Sequence, residues 1–398
     1  MKKILFCSRS GIELNNSTGG QLLRIKTSIK SLNRIASLDV VSRNPRYQRN
    51  IRQDYLKKIN LYYAPSVKNI LSKNKLIKAF QWRFNEFFFL KDDAKYIAKL
   101  EKKKQYDLVW ISYASQSYFL IKEIKKLDKK IKIVADTDSV YFKFIEREIK
   151  YVNLFKKIII FLYSLIYKSI EKKMIKISDF TTAVSNYDKK TFENLCLKKK
   201  IFIFRNTIEA IKKNSIYKNK DKFNIIISGS FGSKTSPMNV SVKWFLDSIF
   251  PKVEKKIKNL RIYLIGIGSD KFLEDYNLNK EIIISTGWVK SIKKYFYIAD
   301  LAVVPLLYES GTRFKILEAA MYKIPVISTK IGAEGLPLKN NESIFLEDDP
   351  KKFANKIISI SKNNKILRKI GIKSNYMVLQ NFSEKAQIND AKKLLKYL

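Results

Sequence analysis

A two-domain α/β protein, with each domain built on a parallel sheet, is predicted by three observations. Short apolar runs alternate with longer helix-like segments from end to end, the pattern of successive βα units. The 398 residues are 46% hydrophobic, more than one core absorbs, so two domains of about 150 to 200 residues are expected. Residues 208 to 222 turn polar and charged, apart from Ile211, Ile216 and Tyr217, which places a linker there.

Strands are expected in the first half at Lys3–Ser8, Leu38–Ser42, Leu108–Ser112, Lys132–Ala135, Phe180–Val184 and Ile201–Phe204. The second half restarts with Phe223–Ser228, followed by Leu260–Ile265, Glu281–Ser285, Leu301–Pro305, Pro325–Ser328 and Ser343–Leu346. After the first strand, Gly19 and Gly20 open a helix, where they form either an anion-binding nest or a simple turn. Asp136-Thr-Asp138 stands at a strand end, where α/β ligand sites gather. It reads as a metal-binding pair or as the N-cap of the next helix through Asp138 or Ser139.

Further along, Lys150, Lys157, Lys168 and Lys172 align on one side of a helix and Phe155, Ile159, Leu162, Tyr163, Ile166 and Ile170 on the other. Such a helix either packs on its own domain with lysines outward or lies on an anionic leaflet. Gly266-Ile-Gly268 reads as a turn, and Glu347-Asp-Asp349 before Pro350 as an N-cap.

The most informative stretch, Pro305 to Thr329, joins an apolar strand, a glycine turn, a charged helix start and another strand. A helix beginning at Gly311 would offer the amides of Gly311 and Thr312 to an anion, with the helix dipole behind them. Gly311, Lys315 and Glu318 then share a face at i, i+4 and i+7, so one ligand could meet amide, ammonium and carboxylate together. A phosphate carrying sugar hydroxyls fits that set; a solvated Lys–Glu pair is the other reading.

Composition excludes several chemistries. There is no histidine, and Cys7 and Cys196 are the only cysteines, so a Ser-His-Asp triad, a Cys-His pair and a four-cysteine zinc site cannot form within this chain. Two distant cysteines and a short apolar run after Lys2-Lys3 imply a reducing, cytoplasmic setting without a signal peptide. The longest apolar stretch, Ile158 to Tyr167, falls far short of the roughly 20 residues that span a bilayer. Seventy-nine basic against 36 acidic residues give +43, which implies an anionic partner or a compositional bias toward lysine, isoleucine and asparagine.

These residues together carry a resemblance. Gly311-Thr-Arg-Phe-Lys-Ile-Leu-Glu-Ala319, Pro325-Val-Ile-Ser-Thr329 and Gly332-Ala-Glu-Gly-Leu336 resemble motifs of group 1 retaining glycosyltransferases. Gly229-Ser-Phe-Gly232, Pro237-Met-Asn-Val240, Val184-Ser-Asn-Tyr-Asp188 and Arg205-Asn-Thr-Ile208 match the same family, so the likeness runs nearly the whole length. It implies the GT-B fold, two Rossmann-like domains with parallel sheets facing an interdomain cleft. The implied domains are 1–207 for the acceptor, a linker at 208–222, 223–375 for the nucleotide sugar, and a helix at 376–398 returning to the first.

The resemblance implies a donor-binding set of Gly19, Gly20, Ser310, Gly311, Thr312, Arg313, Lys315, Ile316 and Glu318, with Lys315, Glu318 and Asp136 as the catalytic residues. Lys315 and the glycine-turn amides would hold the diphosphate, and Glu318 the ribose hydroxyls. Two positions depart from the family pattern: Ser310 stands eight before Glu318, with Glu309 displaced by one, and Thr137 replaces a histidine. The expected reaction is transfer of a sugar from a nucleoside-diphosphate donor to a cell-surface glycan or lipid-linked acceptor, with retention, no cofactor and no metal. An anionic membrane surface on the cytoplasmic side is a further expected partner, and nucleic acid is not. The alternatives are a nucleic-acid-binding protein without catalysis, prompted by the charge and the aromatics, and a GT-B-fold nucleotide-sugar epimerase.

Overall fold

The structure is a computed structural model that describes residues 1–8, 20–42, 59–65, 90–209, 211, 221–274, 276 and 278–398. Gly19 and most of the expected linker lie outside the described residues. Strands β1 to β7 are Lys3–Ser8, Ser37–Ser42, Asn60–Tyr63, Leu108–Ser112, Ile133–Asp136, Phe180–Ala183 and Ile201–Ile203. Strands β8 to β13 are Phe223–Ser228, Leu260–Ile265, Ile283–Ser285, Leu301–Val304, Val326–Ser328 and Phe345–Leu346. The described helices α1 to α7 are Gly20–Asn33, Leu90–Lys104, Tyr118–Leu127, Tyr141–Glu148, Leu154–Ile177, Asn186–Leu195 and Pro237–Ser248. Helices α8 to α14 are Phe250–Lys256, Ser269–Glu274, Lys293–Ile298, Phe314–Met321, Pro350–Ser361, Asn364–Phe382 and Glu384–Leu395.

Two compact units result: Met1–Phe142, Tyr163–Thr207 and Glu384–Leu398 form the first, Lys143–Leu162 and Ile208–Ser383 the second. The first holds a parallel sheet of order β3-β2-β1-β4-β5-β6-β7, the second one of order β10-β9-β8-β11-β12-β13. Alternation along a strand sends Ile4 and Phe6 to one face of the first sheet and Leu5 and Cys7 to the other, and both faces are buried. That is why these strands read as unbroken apolar runs.

Two boundaries differ from those expected. The return to the first unit begins at Glu384 rather than 376, because α13 continues to Phe382 with Val378 and Phe382 in the second core. From Glu384 on, α14 joins the first unit: Gln387 accepts from Ser31 Oγ at 2.7 Å, and Asp390 pairs with Arg205 Nε at 2.6 Å. Residues 143 to 162 leave the first domain and belong to the second unit, where Tyr151 stacks on Tyr308 with ring centroids 5.0 Å apart.

Neither Asp138 nor Ser139 caps α4. Glu171 does so from α5, accepting the amides of Tyr141 and Phe142 at 3.0 Å each and the hydroxyl of Ser115 at 2.5 Å. Burial pushes its carboxyl up to about 7, against those three hydrogen bonds. Helix α5 also departs from an ordinary packed amphipathic helix. Ser164, Ile170, Glu171, Met174 and Ile175 are its buried residues, while the apolar side chains from Leu154 to Ile166 face solvent.

Candidate active site

In the second unit the chain runs from β8 outward through β9 to β10, then returns to β11 on the other side of β8. Connections leaving β8 and β11 therefore diverge, and the crevice outside their carboxyl ends is where open parallel sheets take ligands. Two loops wall it. After β8, residues 229 to 235 lead into α7, with Ser236 as N-cap and Pro237 in the first turn. After β11, residues 305 to 313 lead into α11, whose Lys315 Nζ lies 2.9 Å from Met238 Sδ of α7.

Glycines let the neighbouring loops close in. A Cβ on Gly266, which has φ of +134°, would stand 1.8 Å from the carbonyl oxygen of Gly229, and one on Gly229 would stand 2.6 Å from Met238 Sδ. Gly266-Ile-Gly268 is thus a turn, as expected, and one that no side chain at Gly266 permits.

The helix does not begin at Gly311. Gly311 has φ of +77° in the loop, Arg313 is the N-cap, and α11 starts at Phe314. Glycine supplies the left-handed conformation that lets the loop turn before the helix forms. The amides of Gly311, Thr312, Phe314 and Lys315 take no acceptor among the described residues, so the donors remain available although the face drawn from an ideal helix does not hold. Ser310 differs, because its amide donates to Glu309 Oε1 at 3.1 Å.

Arg313 and Ile316 are used structurally. Arg313 is 3% exposed; its Nη1 donates to the carbonyl of Gly311 and its Nη2 to that of Ile331 at 2.7 Å, which braces the turn rather than reaching for a phosphate. Ile316 is fully buried in the core, and its amide donates to the carbonyl of Arg313 at 3.0 Å.

Lys315 and Glu318 remain as half-buried ionisable groups one turn apart. Burial pushes the Lys315 ammonium down to about 8, against the pull of Glu309 and Glu318 and with Arg313 adding to the fall. Burial likewise pushes the Glu318 carboxyl up to about 7, partly offset by Lys315. Glu318 forms no hydrogen bond and no ion pair among the described residues. A half-buried cation, a carboxylate without a protein partner and bare amides in one crevice can together bind an anion that carries hydroxyl groups.

Residues 222–363 match the family model for Glycosyl transferases group 1. The matched stretch lies within the second unit and includes both loops that wall the crevice. An uncharacterized 44.6 kDa protein in cps region from Klebsiella pneumoniae is 25% identical over 348 residues, 84% of either chain. Sucrose-phosphate synthase from Thermosynechococcus elongatus superposes with a TM-score of 0.75 at 14% identity, over 100% of this chain and 99% of that one. The Anabaena HepE protein in complex with UDP superposes with a TM-score of 0.66 at 11% identity, over 100% of both chains. The fold is GT-B, two α/β units on parallel sheets.

Within the matched residues the other two motifs hold the β11 loop. Ser328 Oγ donates to the carbonyl of Val304 at 2.9 Å, and Thr329 Oγ1 to that of Leu306. Arg147 Nη2 meets Glu334 Oε1 at 2.8 Å, while its Nη1 donates to the carbonyl of Glu309 at 2.5 Å. Arg147 lies outside every motif read from the sequence, and only the fold brings it to the β11 loop. A cavity of about 890 Å³ lies at the opposite, amino-terminal ends of the strands, beside Phe223, Asn259, Asp300 and Pro325 and away from Lys315.

Asp136, expected to be catalytic, is 1% exposed in the first unit. Its Oδ1 accepts from Arg24 Nη2 at 2.5 Å and from Thr182 Oγ1 at 2.7 Å. Arg24, 2% exposed, also donates to Asn206 Oδ1 at 2.6 Å and to the carbonyl of Thr137 at 3.0 Å. A carboxylate committed to a buried guanidinium anchors α1, which Gly20 starts, and does not face a substrate. No cluster of three or more metal-ligating side chains occurs among the described residues, so Asp136-Thr-Asp138 gains no third ligand there.

Proposed function

We propose that the protein transfers a hexosyl group from a nucleoside-diphosphate sugar to a cell-surface glycan or lipid-linked acceptor, with retention of configuration and without a metal. The observation that carries this reading is the half-buried Lys315–Glu318 pair beside four open amides at the switch point of a group 1 domain. The relative in cps region and the neighbour bound to UDP support the acceptor and donor classes.

In this mechanism Lys315 and the amides of Gly311, Thr312 and Phe314 hold the donor diphosphate and stabilise the charge that grows on it as the glycosidic bond breaks. Glu318 accepts the hydrogen bonds of the ribose hydroxyls. With no histidine in the chain and Asp136 committed to Arg24, the departing phosphate oxygen takes the acceptor's proton, and attack comes from the face that the diphosphate leaves.

Nucleoside diphosphate released from a donor panel is measured with native protein, Lys315→Ala and Glu318→Gln. Loss of one charged phosphate contact costs about 2 kcal/mol, a roughly thirtyfold fall in kcat/KM for Lys315→Ala. Equal rates in all three proteins remove the site assignment. Product anomeric configuration by NMR tests retention, an unchanged rate in a chelator tests metal independence, and an epimerised donor without transfer would favour an epimerase.

A further inference from the structure

We infer that the amino-terminal half of α5 is a docking surface for an anionic lipid leaflet. Between Leu154 and Ile166, eight large apolar side chains are each at least 45% exposed, led by Leu154 at 78% and Phe155 at 75%. No residue from 154 to 163 is buried. At 100° per residue the eight span about 160° of arc, opposite the arc of Ser164, Glu171, Met174 and Ile175 that packs on the first core. An exposed apolar face of this extent marks an interaction site.

Charge selects the occupant. Lys173 and Lys176 are exposed and continue the same side of the helix beyond its apolar half, Lys168 and Lys172 are exposed along one edge of that side, and Lys156 is exposed at its start. The only carboxylate on α5 is Glu171, which is fully buried. A second copy of this chain would bring another +43 against that surface, whereas anionic headgroups neutralise the lysines while the apolar side chains enter the headgroup–acyl boundary. No described helix is long and apolar enough to cross a membrane, so α5 lies in the interface plane. The binding itself does not depend on the proposed activity; its purpose, bringing the enzyme to a lipid-linked acceptor, rests on that reading.

The full-length protein is sedimented with vesicles of phosphatidylcholine alone and with vesicles that are roughly one-third phosphatidylglycerol, at low and high salt. Anionic vesicles should retain it about tenfold or more better than neutral ones at low salt, with the preference shrinking at high salt. The triple variant Phe155→Asp, Ile158→Asp, Leu162→Asp should lose binding to both vesicles while its melting curve and its nucleoside-diphosphate release from a soluble donor stay native. Lys168→Gln with Lys172→Gln and Lys173→Gln should lose the preference for anionic lipid. Indifference of the native protein to lipid charge overturns the inference. So does a dimer in sedimentation velocity that the triple variant abolishes, if vesicles are not bound.

Discussion

Donor binding should be bell-shaped in pH, because its two ionisable partners are pushed toward one another from opposite ends of the scale. Lys315 must be charged to hold a diphosphate, and its position near 8 means that this form is lost as pH rises through 8. Glu318 must be ionised to accept ribose hydroxyls, and its position near 7 means that this form is lost as pH falls through 7. The fraction of empty protein with both in the required state is about 0.6 near pH 7.5 and about 0.09 at pH 6 and pH 9, roughly a sixfold loss on either side. The assay is calorimetric titration with an intact nucleotide sugar, whose esterified diphosphate does not itself ionise in this range. In buffers of different ionisation enthalpy at about pH 8.5, where some three-quarters of Lys315 is neutral, binding should take up nearly that fraction of a proton. Lys315→Met should remove the alkaline limb and Glu318→Gln the acid limb. A flat profile from pH 6 to pH 9, or an alkaline limb that survives Lys315→Met, refutes the assignment.

Asp136→Asn should act on stability rather than on the reaction: leaving Arg24 buried without its charge partner costs about 3 to 5 kcal/mol, read from denaturant midpoints. Unchanged stability with a lost kcat would instead return Asp136 to catalysis. Gly266→Ala forces a Cβ into the Gly229 carbonyl at φ of +134°, so it should cost on the order of 2 kcal/mol or more and weaken nucleotide binding in thermal-shift titrations. A native melting temperature and affinity in that variant would show that the two loops do not need their close approach.

Most strands were legible because a parallel sheet buried on both faces writes a nearly continuous apolar run into the chain, as at Phe223-Asn-Ile-Ile-Ile-Ser228 and Leu260-Arg-Ile-Tyr-Leu-Ile265. The strand at Asn60–Tyr63 escaped: it is four residues long, lies at the sheet edge beside β2, and no residue in it is fully buried. Lys315 and Glu318 were legible because one turn of helix separates them whatever the fold does. Gly311 was placed on their helix only by assuming that α11 starts at the glycine, and a left-handed residue at that position stops the helix from extending back. Asp136 misled because a carboxylate at a strand end looks alike whether it serves a substrate or a buried arginine, and Arg24 stands 112 positions away. The outward face of α5 was hidden by its periodicity, which says that one side is apolar without saying that this side is packed.

The three second-unit motifs have a mechanical reading beside the proposed donor role. A lysine held near 8 needs a crevice wall that does not relax toward it with a carboxylate or a carbonyl, since either would restore its charge without a ligand. The β11 loop is prevented from relaxing in this way by contacts from three directions: Thr329 and Ser328 on its first carbonyls, Arg313 tying Gly311 to Ile331, and Arg147 joining Glu309 to Glu334. Glu309 is the carboxylate best placed to neutralise Lys315, yet its Oε1 accepts the Ser310 amide and its carbonyl is held by Arg147. If Lys315 holds the donor as proposed, pinning the competitor keeps it available, so releasing Glu309 by Arg147→Ala should raise the Lys315 pKa and weaken donor binding in the same calorimetric titration.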